Sequence, residues 1–319
     1  MKNLSNRMPV AALCAYVIVN LAVNAAAQIP ERSYFEKMYQ TTRAALSHEQ
    51  KRAPVLLTLA KNNAPDTSGY DAVYYDLDFR VSVAPNNLTG AITGVFRSTR
   101  DQLDHVTLDF DAREALTPWQ GFSVSGNVAS WTHANWQLRV QLDRTYQRGE
   151  IFSVTVRYAG VPRQGGFKGF GFDRNSYGDL VISSLSEPFL ARTWWPCKDD
   201  PLDKADSVRV TVTTPQTMFG ASNGVLVSET NNGNSTKTFV WKERYPITTY
   251  LVSLAISNYT VFHERFEYAP GQFMPLDYYV YPAQLSTARA AFANLPEMLR
   301  IYSTLFGPYP FLQEKYGHA

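Results

Sequence analysis

"YDLDFRVSV", residues 75–83, decides the fold class. Tyr75, Leu77, Phe79, Val81 and Val83 alternate with Asp76, Asp78, Arg80 and Ser82, the two-residue period of a strand with one dry face and one wet one. "APNNLTG" then turns the chain, with Gly90 free to take positive φ. The same alternation returns at Val106-Leu108-Phe110, Leu138-Val140-Leu142, Phe152-Val154-Val156-Tyr158 and Val208-Val210-Val212. Further strands are expected at Thr238–Trp241 and Tyr250–Ile256, with turn signals at Asn223-Gly224 and "TNNGNST". From about residue 70 to 260 this predicts a mainly β fold, an antiparallel sandwich or saddle of packed sheets.

Outside that block the pattern changes. Residues 1–27 resemble a signal peptide: Lys2 and Arg7 precede a largely apolar run from Val10 to Val23, and Ala25-Ala26-Ala27 fits a small-x-small cleavage site. The alternatives are a membrane anchor, for which the run is short of ~20 residues, and a lipoprotein signal, for which Leu13 before Cys14 is the wrong residue. Export to a periplasmic, cell-surface or extracellular location follows, with no stable membrane insertion after removal. Residues 28–69 read as a helical segment (Tyr34 to Leu46) and a linker.

At the other end, Leu276, Tyr278 and Val280 suggest a strand. Leu285, Ala288, Phe292, Leu295, Leu299, Tyr302 and Phe306 recur at helical spacing. Ser286 or Thr287 can cap that helix, Pro296 should kink or break it, and Gly307-Pro308 should end it. The strand–helix unit at 264–319 is too short for a core of its own. It either packs on the β domain or belongs to a domain whose other elements are missing. The second reading is preferred, and it predicts an exposed stripe through Leu285, Phe292, Leu299 and Phe306.

Charge and cysteine exclude several classes. Loss of the leader takes two of the 30 bases and leaves 28 against 28 acids. No segment gathers lysines and arginines, so nucleic acid and anionic membranes find no electrostatic support. Cys197 is then alone, which rules out an internal disulfide; packing beside Trp194, Trp195 and Pro196 is the favoured role over a reactive nucleophile. The five histidines, His48, His105, His133, His263 and His318, include no pair four apart, so the chain carries no H-E-x-x-H and no metal site is assigned. "GGFKGFGF" (165–172) lacks the ending of a phosphate loop and reads as a mobile hairpin. Three sequons, at Asn87, Asn234 and Asn258, carry little weight.

One stretch stands apart: "SSLSEPFLARTWWPCKDDP", residues 183–201. It is too aromatic for a surface loop and too broken for a helix or strand. Glu187, biased to extended backbone by Pro188, can be a fixed carboxylate that receives an ammonium group through a charge-assisted hydrogen bond. It can equally be a loop brace to Arg192. Residue chemistry alone leans to the brace.

This stretch, continued through "LDKADSVRVTVTTP", resembles the segment of aminopeptidase N family zinc metallopeptidases in which E-P or E-A precedes A-R, W-P-C or F-P-C, and D-x-P. "LFGPYPF" (305–311) followed by "EKYGHA" is similar to that family's lead-in to its catalytic core, and the resemblance spans about residues 70–319 in order. It implies an N-terminal β saddle (70–262) followed by the first strand and helix of a truncated thermolysin-like α/β domain (263–319). It also implies that Glu187 is the anchor for the free α-ammonium of peptide substrates. Leu185 departs from the glutamine many members carry two positions before that glutamate. The family's zinc ligands and general base would lie beyond residue 319, so the expectation is the front of an exported zinc aminopeptidase, without zinc and without catalytic residues of its own. The competing expectations are a free-standing β-sandwich binding module and a non-catalytic scaffold of the same family.

Overall fold

A computed structural model describes residues 69–111, 119–134, 136–162 and 169–319. The leader, the 28–68 segment and the first half of the glycine run, 165–168, lie outside the described residues.

The first half of the β domain runs β1 (Tyr70–Val83), β2 (Asn86–Ser98), β3 (Leu103–Asp109), β4 (Gln120–Gly126), β5 (Val128–Ala134), β6 (Gln137–Tyr146) and β7 (Ile151–Gly160). The second half runs β8 (Phe170–Arg174), β9 (Leu180–Ser184), β10 (Ser207–Pro215), β11 (Phe219–Ser222), β12 (Val225–Asn231), β13 (Thr236–Glu243) and β14 (Leu254–Ser257). Three sheets result: seven strands in the order β12-β13-β10-β1-β2-β7-β4, four in the order β11-β14-β9-β8, and three in the order β3-β6-β5.

In β1 the predicted alternation is realised. Tyr75, Leu77, Phe79 and Val81 are buried, and their neighbours point outward. Leu77 lies opposite Ile92 on one side and Val210 on the other, so three alternating strands stack their apolar faces in one core. The sheet is not wholly antiparallel: β1 and β10 run parallel. A parallel pair needs a long crossover, and here the three-stranded sheet and strands β8 and β9 of the four-stranded sheet lie within the connection between β2 and β10.

The strand expected over Tyr250–Ile256 is shorter. Thr249–Leu251 forms a three-ten turn and β14 begins at Leu254. The Thr249 hydroxyl donates to Asp199 Oδ1 at 3.0 Å, which draws this turn inward, away from the strand ladder.

Beyond Tyr259 a second unit is built from β15 (Thr260–Ala269), β16 (Gln272–Val280), α1 (Leu285–Phe292), α2 (Leu295–Phe306) and β17 (Tyr316–His318). β15 and β16 form a hairpin, and β17 joins β16 in parallel. The single periodic helix of the sequence is two helices, with Pro296 in the first turn of the second, where its missing N–H costs nothing. Gly307, at φ 93°, ends α2. Ser286 and Thr287 do not cap α1. A three-ten turn over Pro282–Gln284 leads directly into it, and Gln284 at the cap makes no side-chain bond.

Contrary to expectation, this short unit has a core of its own. Phe262, Phe266, Met274, Leu276 and Tyr278 from the hairpin pack against Leu295 and Leu299 of α2. The expected stripe is divided: Leu299 is buried, Leu285 and Phe292 are half-buried, and Phe306 is 80% exposed; Leu305, outside that stripe, is 67% exposed.

Candidate functional site

The 183–201 stretch is a loop with a fully buried spine. It leaves β9 at Ser184, turns at Glu187–Leu190, makes a three-ten turn over Ala191–Thr193 and returns along β3. Cys197 exchanges both backbone hydrogen bonds with Asp109, at 2.7 and 3.0 Å. Trp194 and Trp195 are 0% exposed. Phe79 and Phe170 lie 5.1 and 5.2 Å from Trp194, and Tyr75 stands edge-on to Trp195 at 5.1 Å. Two indoles buried among β1 side chains and Phe170 fix the loop far more firmly than its own turns could. Gly169 is required where it passes beneath: a Cβ there would lie 2.4 Å from Leu190 O and from Thr193 Oγ1.

The loop's charges divide inward and outward. Arg192, 7% exposed, faces Asp109 at 3.7 Å and Asp199 at 3.9 Å. Burial pushes the Asp109 carboxyl up to about 6, against the pull of Arg192. Burial together with the charge of Asp109 pushes Asp199 up to about 7. Lys198 donates to Tyr70 O at 2.7 Å and pairs with Asp203. Cys197 is 0% exposed, and burial raises its thiol well above the ordinary range, so it packs and does not attack.

Glu187 is the exception. It is exposed, with buried Ser186 before it and a cis peptide bond to Pro188 after it. The alternative of a brace to Arg192 fails, because that guanidinium is turned inward to the two aspartates. Among the described residues none forms an ion pair with Glu187. The geometry is therefore a solvent-facing carboxylate on a rigid, buried base, which is what reception of an external ammonium requires.

A cavity of ≈340 Å³ opens between the β domain and the second unit, lined by Ser222, Leu251 and Ser253 on one side and by Tyr309, Glu314 and His318 on the other. Its β-domain wall is continuous with β9: Ala255 pairs with Ser183, and Leu254 N donates to Ser184 Oγ at 2.9 Å. The second unit is latched beside it. Glu314 Oε1 accepts from Arg244 N at 2.8 Å, and Lys315 donates to the carbonyls of Ser222 and Gly224. Burial, with the Glu314 carboxyl close by, pushes Glu243 up to about 7. Sequence reasoning missed Glu243 and Glu314. They lie some 70 positions apart and no local pattern links them.

No group of three or more metal-ligating side chains comes together among the described residues. The described histidines His105, His133, His263 and His318 are spread over β3, β5, β15 and β17 and gather into no such group.

The Peptidase M1 N-terminal domain family matches residues 71–251. A leucine aminopeptidase 2 of Vanderwaltozyma polyspora is 27% identical over 155 residues, covering 48% of this chain and 21% of that protein. A glutamyl aminopeptidase of Homo sapiens is 26% identical over 155 residues, covering 48% and 16%. Among solved structures, an M1 zinc metallopeptidase from Deinococcus radiodurans is similar with a TM-score of 0.62 and 26% identity, over 78% of this chain and 55% of that one. The chain thus spans about a fifth of the leucine aminopeptidase and about half of the bacterial structure. With more than half of its 319 residues matched, this chain belongs to the M1 peptidase family, through that family's N-terminal domain.

Proposed function

We propose that this chain is the substrate-amine-recognising front of an exported aminopeptidase, and that Glu187 receives the free α-ammonium of a peptide substrate. One observation carries the reading: Glu187 is an exposed carboxylate on a loop whose spine, Ala191 to Asp199, is buried throughout. Support comes from the aminopeptidase relatives and from a mutant of the Deinococcus enzyme bound to a Tyr-Ser-Ala substrate, which is similar to this chain at a TM-score of 0.62.

A carboxylate held in this way counts the chain from its amino end. A free ammonium gains a charge-assisted hydrogen bond worth about 1.5–3 kcal/mol, and an acylated or internal position gains none. In this reading the β domain that ends before β15 is the recognition domain, and the unit that begins with β15 (Thr260–Ala269) opens the peptidase domain. Zinc belongs to the parent protein beyond these residues, where it would activate water. The 319 residues alone cleave nothing. Residues 1–27 direct export.

The test is Glu187→Gln in the full-length gene product, assayed on Tyr-Ser-Ala. The expected outcome is a fall in kcat/KM of tenfold or more, dominated by a rise in KM. Unchanged kinetics would remove Glu187 from substrate recognition, and a full-length protein with no peptidase activity would favour the scaffold reading.

A further inference from the structure

Glu187 owes its position to the residue before it. Leu185 donates its N–H to Gly169 O at 2.9 Å, and the carbonyl of Ser186 accepts from Leu190 N at 2.9 Å. Ser186 is 2% exposed, and its hydroxyl oxygen accepts from Trp194 Nε1 at 2.9 Å. Trp194 has no freedom to follow a moving loop: its ring is packed between Phe79 and Phe170, and its carbonyl accepts from the Tyr158 hydroxyl. The adjacent indole makes an informative contrast. Trp195 buries its N–H without a hydrogen-bond partner among the described residues. Burial alone therefore does not secure a partner for an indole here. An indole N–H has one donor and nothing to accept with, so the Trp194 bond reports a specific alignment of Ser186 with the core.

We propose that the Ser186–Trp194 hydrogen bond is the positioning device of the amine anchor, setting the backbone from which Glu187 projects. The proposal rests on the reading of Glu187 as that anchor. Ser186 and Trp194 touch no substrate; they act through Glu187, tying its backbone to the seven-stranded sheet. Preorganisation of this kind counts because an anchor misplaced by about 1 Å loses much of its directional bond.

A double-mutant cycle in the full-length gene product tests it, with kcat/KM on Tyr-Ser-Ala and the thermal midpoint as readouts. Ser186→Ala is expected to lower kcat/KM about fivefold, the size of one lost intramolecular hydrogen bond. In the Glu187→Ala background the same substitution is expected to change kcat/KM by less than about 1.5-fold, while the thermal midpoint falls equally in both backgrounds. Trp194→Phe keeps the ring and removes only the N–H, so it serves as the second variant if Ser186→Ala folds poorly, with the same expected pattern. Equal fold-losses in both backgrounds, or no loss from either variant, would overturn the device while leaving the anchor in place. A Glu187→Ala protein with wild-type kcat/KM would overturn the anchor and the device together, and that result is visible in the single mutant alone.

Discussion

The loop that carries Glu187 and the helical face of the second unit are both rich in aromatic residues, and they are held in opposite ways. Trp194 and Trp195 are wholly enclosed, with rings of β1 and Phe170 around them. In α2 only Leu295 and Leu299 reach a core, while Leu305 and Phe306 stand in solvent. The comparison teaches that irregular backbone is not loose backbone. A loop with no regular ladder can be the most fixed part of a domain when its side chains are the core, and a well-formed helix can rest on a few residues.

The largest break in that comparison should come from Trp194→Ala. Removing a fully buried indole leaves a large cavity and is expected to cost ~3–5 kcal/mol, seen as a lower urea midpoint for the whole β domain. Leu299→Ala should cost about 2–3 kcal/mol, because α2 can settle into the space from its open side, and the loss should appear as faster amide exchange confined to β15–β17 and the helices. Equal, global effects of the two substitutions would show that the regions are one cooperative unit.

A pH series sharpens the contrast. Asp109 and Asp199 have folded-state values of about 6 and about 7, above the ordinary 3.8. Raised carboxyls favour the protonated folded state, so folding takes up protons between about pH 4 and 7 and stability falls as pH rises through that window. Asp199→Asn should flatten the dependence and leave the protein relatively more stable at pH 8 than the parent. An unchanged slope would place these titrations elsewhere. The smallest effect should be that of Phe306→Ser, within about 0.5 kcal/mol in urea, since the ring is largely exposed already.

Much of the fold was legible because the strands that matter are half-buried. Tyr75 to Val81 alternate, and the structure buries every second residue. β4 and β5 gave only a short signal: Phe122 and Val124 alternate with Ser123 and Ser125 and pack half-buried on the core, but two apolar residues are too few to carry a period. The parallel register of β1 with β10 was illegible for another reason. Period tells which face is dry, never which way the neighbouring strand runs. Pro296 and Gly307 marked their helix boundaries correctly because their constraints are local. The start of α1 was misread because Tyr281 to Gln284 forms a three-ten lead-in that no side-chain cap announces. The density of residues 183–201 pointed to the site, yet the inward turn of Arg192 could not be read there. One of its partners, Asp109, is 83 positions away, brought close by the bridge to Cys197 and by the Asp111 N–H that donates to Arg192 O.

If Glu187 receives the free amino end of a peptide, as proposed above, blocking that amine should matter less once the carboxylate is gone. The most direct measurement is the ratio of kcat/KM for Tyr-Ser-Ala to that for its N-acetylated form, in the full-length gene product with and without Glu187→Gln. A large ratio is expected, shrinking about tenfold or more in the variant with the loss of one charge-assisted bond. A ratio that is the same in both proteins would contradict that proposal.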